Sequence, residues 1–223
     1  MANLNNNVKE PRAMLKSKAA FGSVAFEQMF GPNTPGNILY PLHRTRGVLM
    51  PYTPNIQWAA SVDYQEYHAT HSNYKYNAFE KSAPGPFQVD FIMTAQTDAE
   101  ARYMLAVMHF LKSVTKMNFG EKAGNLAGTP PPIMVFSYLG KYMFNDVPVI
   151  IKSYQYSLEN GVDYVPVRFQ NNPDNDTFVP TQVNIAIELD IQMNTRTIRK
   201  EFDLESFTSG DYINNDSNFK GWI

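Results

Sequence analysis

The sequence predicts a mainly β protein of the α+β class, an antiparallel β sandwich or barrel carrying one prominent helix. Three observations predict it. Apolar and polar residues alternate with a period of two along three stretches, two further runs are apolar on both faces, and one stretch near residue 100 has helical spacing behind a capping signal. A period of two is what a strand with one buried face requires, because successive side chains point to opposite sides.

The elements follow in chain order. Residues 1–37 read as an N-terminal arm, partly flexible or helical, residues 38–210 as the β domain, and residues 211–223 as a C-terminal extension. The first ten residues are Asn-rich. From Ala13 to Phe30, the apolar Leu15, Ala19, Phe21, Val24, Phe26 and Phe30 allow one short helix or two broken pieces, and Gly22 argues against a continuous one. GPNTPG at residues 31–36 is a breaker. Beyond it, Ile56, Trp58, Ala60, Val62 and Tyr64 alternate with Gln57, Ser61, Asp63 and Gln65. Phe87, Val89, Phe91 and Met93 repeat the pattern, as do Val183, Ile185, Ile187, Leu189, Ile191 and Met193. These are the clean half-buried strands.

Ile133–Leu139 and Val147–Ile151 read as central strands buried on both faces, with Asn145-Asp146 as the tight connection between them. Another strand runs on through Tyr154 and Tyr156 to Leu158. Asn160-Gly161 then signals a hairpin, since both residues accept positive φ at low cost, and Asp163–Phe169 is the expected returning strand.

The helix is expected at about residues 97–117. Thr97 and Glu100 have the spacing of a capping box, in which each side chain bonds the other's backbone amide. Ala101, Met104, Leu105, Met108 and Leu111 then share one face. Lys112 and Lys116 suit the negative pole of the helix dipole, and Gly120 is the expected stop. Pro-bearing loops are expected at Ala83–Pro86, Thr129–Pro132 and Asn172–Asp176.

Composition narrows the function. Charged residues are 18% of 223, with a formal net charge of −2, so no global attraction to nucleic acid or anionic membrane is expected. The start is basic (Lys9, Arg12, Lys16, Lys18, Arg44, Arg46) and the end acidic (Glu201, Asp203, Glu205, Asp211, Asp216). These are solvated termini or complementary contacts between neighbouring subunits. The chain has no cysteine, which excludes disulfides, thiolate metal sites and a cysteine nucleophile. No stretch reaches the ~20 apolar residues of a membrane helix, and MANLNNNVKE lacks the apolar centre of a signal peptide. A soluble chain assembled in the cytoplasm is expected.

Chemistry is hard to find. His68 and His71 would lie on opposite faces of a strand, a poor arrangement for a shared metal. His43 and His109 offer nothing better, and His109 is expected half-buried on the helix. Asp174-Asn175-Asp176 lacks the glycine and distal glutamate of a calcium loop. Lys122 among Gly120, Gly124 and Gly128 lacks the Ser or Thr of a phosphate loop. No enzyme activity, metal or cofactor is expected. Tyr64, Tyr67, Tyr74, Tyr76 and Phe79 form an aromatic row that suits an interface or stacking on a sugar or base.

The segments LYPL and RGVLMPYTP at residues 39–54 resemble the opening of the tail-tube-type domain in baseplate proteins of contractile-tailed bacteriophages. Residues 87–120 are similar to that domain's strand and capped-helix unit, and residues 131–158 and 201–210 fit the same group. The family is the baseplate tail tube initiator, or tube–baseplate junction, family. The resemblance implies a tail-tube-like fold in a hexameric ring that joins the baseplate hub to the tail tube and templates its polymerisation. Implied partners are copies of itself, hub proteins, the tail tube protein and genomic DNA passing through the lumen, with no membrane. The implied location is the virion tail, assembled in the host cytoplasm. The main tail tube subunit is the nearest alternative. A carbohydrate-binding β sandwich, resting on the tyrosines, is the alternative from another class. Candidate assembly residues are Lys9, Arg12, Lys16, Tyr67, Tyr74 and Tyr76.

Overall fold

The computed structural model describes residues 11–20, 22–168 and 177–214. Lys9, Phe21, Phe169, the Asn172–Asp176 loop and Asp216 therefore lie outside the described residues.

The clean alternations make the centre of the fold. Strands β6 (Phe87–Thr94) and β11 (Gln182–Ile191) pair antiparallel with Val89 opposite Ile187 and Phe91 opposite Ile185, so one apolar face is continuous across both. Strand β8 (Phe144–Leu158) pairs with the other side of β11, and β7 (Met134–Tyr138) with β8. Strands β1 (Met14–Ser17), β2 (Gly47–Leu49) and β3 (Asn55–Gln57) complete a seven-stranded antiparallel sheet, ordered β2-β1-β7-β8-β11-β6-β3. The sheet is open, with β2 and β3 at its edges. The α+β class is thus met, but among the described residues no sheet of this chain closes into a barrel.

One face of the sheet is covered. Helix α3 (Asp98–Val114) lays Ala101, Met104, Val107, Phe110, Leu111 and Val114 onto it. Its capping box forms as expected, Thr97 accepting from the Glu100 amide at 3.3 Å and Glu100 accepting from the Thr97 amide at 3.2 Å. The helices α1 (Val24–Phe30) and α2 (Tyr40–Thr45) extend the cover. Phe26, Phe30 and Phe110 stack in sequence, with centroids 4.4 and 5.0 Å apart. Phe87, Phe136 and Phe144 form a second aromatic group. Burying such side chains stabilises by about 1.5–3 kcal/mol each, which is why the sheet needs no covalent staple.

Several expectations are corrected. Residues 13–17 are not part of a loose or helical arm. Strand β1 is inserted between β2 and β7, and Ala13 and Leu15 are fully buried. Four residues are too few for a period to be read, and the pairing partners are distant in sequence. The reversal between β7 and β8 lies at Leu139-Gly140, where φ is 57° and 85°, while Asn145 and Asp146 belong to β8, Asp146 with a positive φ of 56°. Asn160-Gly161 does turn, with Gly161 at φ 76°. The strand that follows, β9 (Tyr164–Val167), pairs with β10 (Thr177–Pro180) rather than with β8. Helix α3 ends at Val114 with Thr115 as its cap, before Gly120. Ala83–Pro86 is no long loop, because only Gly85 and Pro86 separate β5 (Lys75–Pro84) from β6. His109 is exposed on α3.

At the C-terminal end, α4 (Thr195–Glu201), α5 (Leu204–Ser209) and α6 (Asp211–Asn214) group around Phe202, Phe207 and Tyr212. The buried Tyr212 donates to Glu201 O at 2.7 Å and accepts from the Asp203 amide at 2.6 Å. The expected boundary at residue 211 therefore falls inside one helical cluster.

Candidate assembly interface

The alternation from Ile56 to Tyr64 does not form one strand with a buried face. It splits at Trp58-Ala59 into β3, which stays in the main sheet, and β4 (Ala60–His68). Among the described residues, strand β4 pairs only with β5, in a separate two-stranded sheet. Every residue of β4 is exposed. The pair continues the β3–β6 ladder beyond the body of the molecule. Gly85 bridges the break, its amide donating to Ala59 O at 3.0 Å. A Cβ on Gly85 would stand 2.6 Å from that same carbonyl, so the approach requires glycine. At ~3.3 Å per residue the nine residues of β4 reach about 30 Å. Strands β4 and β5 are accordingly an arm.

Its surface is apolar beyond what solvent favours. Tyr64 stands opposite Phe79, edge to face with centroids 6.0 Å apart. Tyr67 stands opposite Tyr76, and alternation puts this pair on the other face of the ribbon. Tyr74 is 77% exposed, Phe79 62%, and Val62 and Trp58 are also open to solvent. Four of its charges pair internally: Lys75 with Glu66 at 2.6 Å and Lys81 with Asp63 at 3.3 Å. The Lys75 hydrogen bond holds the Glu66 carboxyl below the usual carboxylate range, with His68 contributing less. What the arm offers a partner is aromatic surface and strand edges.

The predicted interface residues fall into two places. Tyr67, Tyr74 and Tyr76 come together on the arm. Arg12 and Lys16 lie on or beside β1, five strand spacings from β3, or about 24 Å at ~4.8 Å each. Lys16 pairs with Asp146 on β8 at 2.6 Å, so it serves this chain's own sheet. Lys9 lies outside the described residues.

The face of β8, β11 and β6 away from α3 is mostly polar, with Ile92 and Ala186 as apolar interruptions. Gln88, Asp90, Thr94, Gln155, Ser157 and Glu188 line it, and Lys152 lies 3.8 Å from both Glu188 and Asp190. A groove of about 700 Å³ there sets amides, hydroxyls and one carboxylate, Asp90, beside the apolar surface of Tyr52, Ile92 and Ala186. Of the histidines, His68 and His71 sit at the tip of the arm, His71 at φ 61°. His43 is buried among Phe26 and Phe30, its Nε2 3.0 Å from Phe30 O, a packing role that sequence reasoning missed because both partners come from another helix. Among the described residues no group of three or more His, Asp or Glu could hold a metal ion. Among them, too, no helix is long and apolar enough to cross a membrane.

Compared with known proteins, the chain matches no family model and no curated sequence.

Proposed function

We propose that this chain is a non-enzymatic structural subunit that builds a ring in a contractile phage tail, joining the baseplate hub to the tail tube. The observation that carries the proposal is the β4–β5 arm. An isolated two-stranded ribbon is marginally stable in water, and this one leaves aromatic residues of both faces exposed. Pairing with copies of itself relieves both costs. When identical ribbons point the same way around an axis, β4 of one copy meets β5 of the next in antiparallel orientation. The ribbons then form one continuous sheet, and closure pairs every ribbon edge.

In such a ring the polar face of β8, β11 and β6 lines the channel and α3 faces outward. Asp90, Glu188 and Asp190 on that face keep DNA phosphates from binding tightly, which suits passage without sequence reading. The assignment to the tube–baseplate junction, the six-fold symmetry and the tail-tube fold type rest on the sequence resemblance.

Cryo-electron microscopy of tails from the native source tests the proposal. A six-fold ring of this chain between hub and tube is the expected result. The chain stacked along the whole tail makes it the tube subunit instead, and its absence from tails overturns the tail reading.

A further inference from the structure

An open sheet has two edges, and each offers unpaired N–H and C=O groups to another strand. Here the two edges differ. On β2, the Ser17 amide donates to Arg46 O at 3.4 Å and the Met50 amide donates to Ala13 O at 2.9 Å, so residues 46, 48 and 50 face β1. By alternation, Gly47 and Leu49 turn their backbone groups outward, where an incoming strand would bind.

Three of those four groups carry a bond from a side chain. The Tyr103 hydroxyl, reaching from α3, accepts from the Leu49 amide at 2.8 Å and donates to the Leu49 carbonyl at 3.1 Å. One phenol thus fills both positions that a neighbouring strand would take. The Thr45 hydroxyl at the end of α2 donates to the Gly47 carbonyl at 2.5 Å. At the other edge, among the described residues, no side chain bonds the backbone of Asn55–Gln57, and β3 runs directly into the arm.

We infer that the two edges are not equivalent: Tyr103 and Thr45 close β2 to strand addition, so a second copy adds only along β3 and the arm. The choice of a second copy as partner rests on the assembly reading above, whereas the closure of β2 does not. The consequence for the assembly is that ribbons, and not the two ends of the seven-stranded sheet, carry the ring. It also explains how such a chain avoids joining edge to edge at random before a ring forms.

The test uses the full chain with Tyr103→Phe, which keeps the ring in its packing and removes only the hydroxyl. Circular dichroism checks the fold, hydrogen exchange reads the Leu49 amide, and sedimentation velocity reads the species present. The expected result is exchange at Leu49 about tenfold faster, the equivalent of one lost hydrogen bond, together with larger species that the unmodified chain does not form. Adding Leu49→Pro removes the outward amide at an edge position where proline is tolerated, and is expected to return the original species. Faster exchange with an unchanged species distribution overturns the inference, since Tyr103 would then satisfy Leu49 without guarding the edge. Larger species that persist in the double variant overturn it too. Should Tyr103→Phe not fold, Thr45→Val frees the Gly47 carbonyl alone, and sedimentation velocity is then the readout: larger species support the inference and an unchanged distribution overturns it. A ring that forms normally while Tyr103→Phe gains nothing leaves the assembly reading intact and removes only this inference.

Discussion

Single residues in this chain are held by contacts that can be broken one at a time. Gly47 is the tightest: a Cβ there would lie 2.3 Å from Leu15 O and 2.6 Å from Lys16 Cα, both backbone atoms that cannot swing away. Gly47→Ala is therefore expected to lower stability by about 2–3 kcal/mol, the upper range for overpacking, measured by urea denaturation. Glu100 provides a pH test. Backbone hydrogen bonds from Gln96 and Thr97 hold its carboxyl below the usual range. A depressed carboxyl contributes stability that is present at neutral pH and lost as pH falls through its folded-state value. Glu100→Gln should flatten the acid side of the stability curve and leave the neutral-to-alkaline side unchanged in shape. Tyr103 runs the other way. Burial raises its phenol, outweighing the Leu49 hydrogen bond and the Arg12 charge. Its contribution is complete below the ordinary tyrosine value and declines as pH rises through the raised one, so Tyr103→Phe should remove part of the alkaline loss of stability.

Elements differ in how far local sequence specifies them. Helix α3 was legible because its cap, its apolar face and its charge placement all lie within one stretch of chain. Met104 is fully buried on it, and Met104→Asp is expected to cost several kcal/mol, on the order of the penalty for an unpaired buried carboxylate. A thermal midpoint within a few degrees of the parent would contradict the packing described. Strands β6 and β11 were legible for the same local reason. Strand β1 was not, because its four residues owe their place to partners at Val48 and Phe136. Local sequence places the N-terminal segment outside the alternating core, whereas the sheet places β1 between β2 and β7. Deleting residues 1–18 removes β1 from the sheet and should abolish the cooperative unfolding transition. A truncated chain that still unfolds cooperatively would show that β7 can serve as an edge. Likewise the Ile56–Tyr64 alternation was visible, but whether its apolar side meets a core depends on where β3 ends, and Ala59 and Gly85 decide that through one backbone contact.

For the whole molecule, the candidate interface was half legible. The tyrosine row stood out in the sequence, and the structure gathers Tyr67, Tyr74 and Tyr76 on one projecting arm. The basic residues Arg12 and Lys16, named with them as candidate assembly residues, sit at the far side of the sheet, and sequence distance says nothing about strand order. The closed β2 edge was invisible beforehand, since Tyr103 and Leu49 are 54 positions apart. The central claim is that the arm joins copies of this chain while the remaining sheet and α3 fold without it. Mass photometry compares the full chain with a version in which residues 60–84 are replaced by a short glycine turn, both checked by circular dichroism. The full chain is predicted to form closed oligomers and the shortened chain to remain a folded monomer. Oligomers of the same size from the shortened chain would contradict the account.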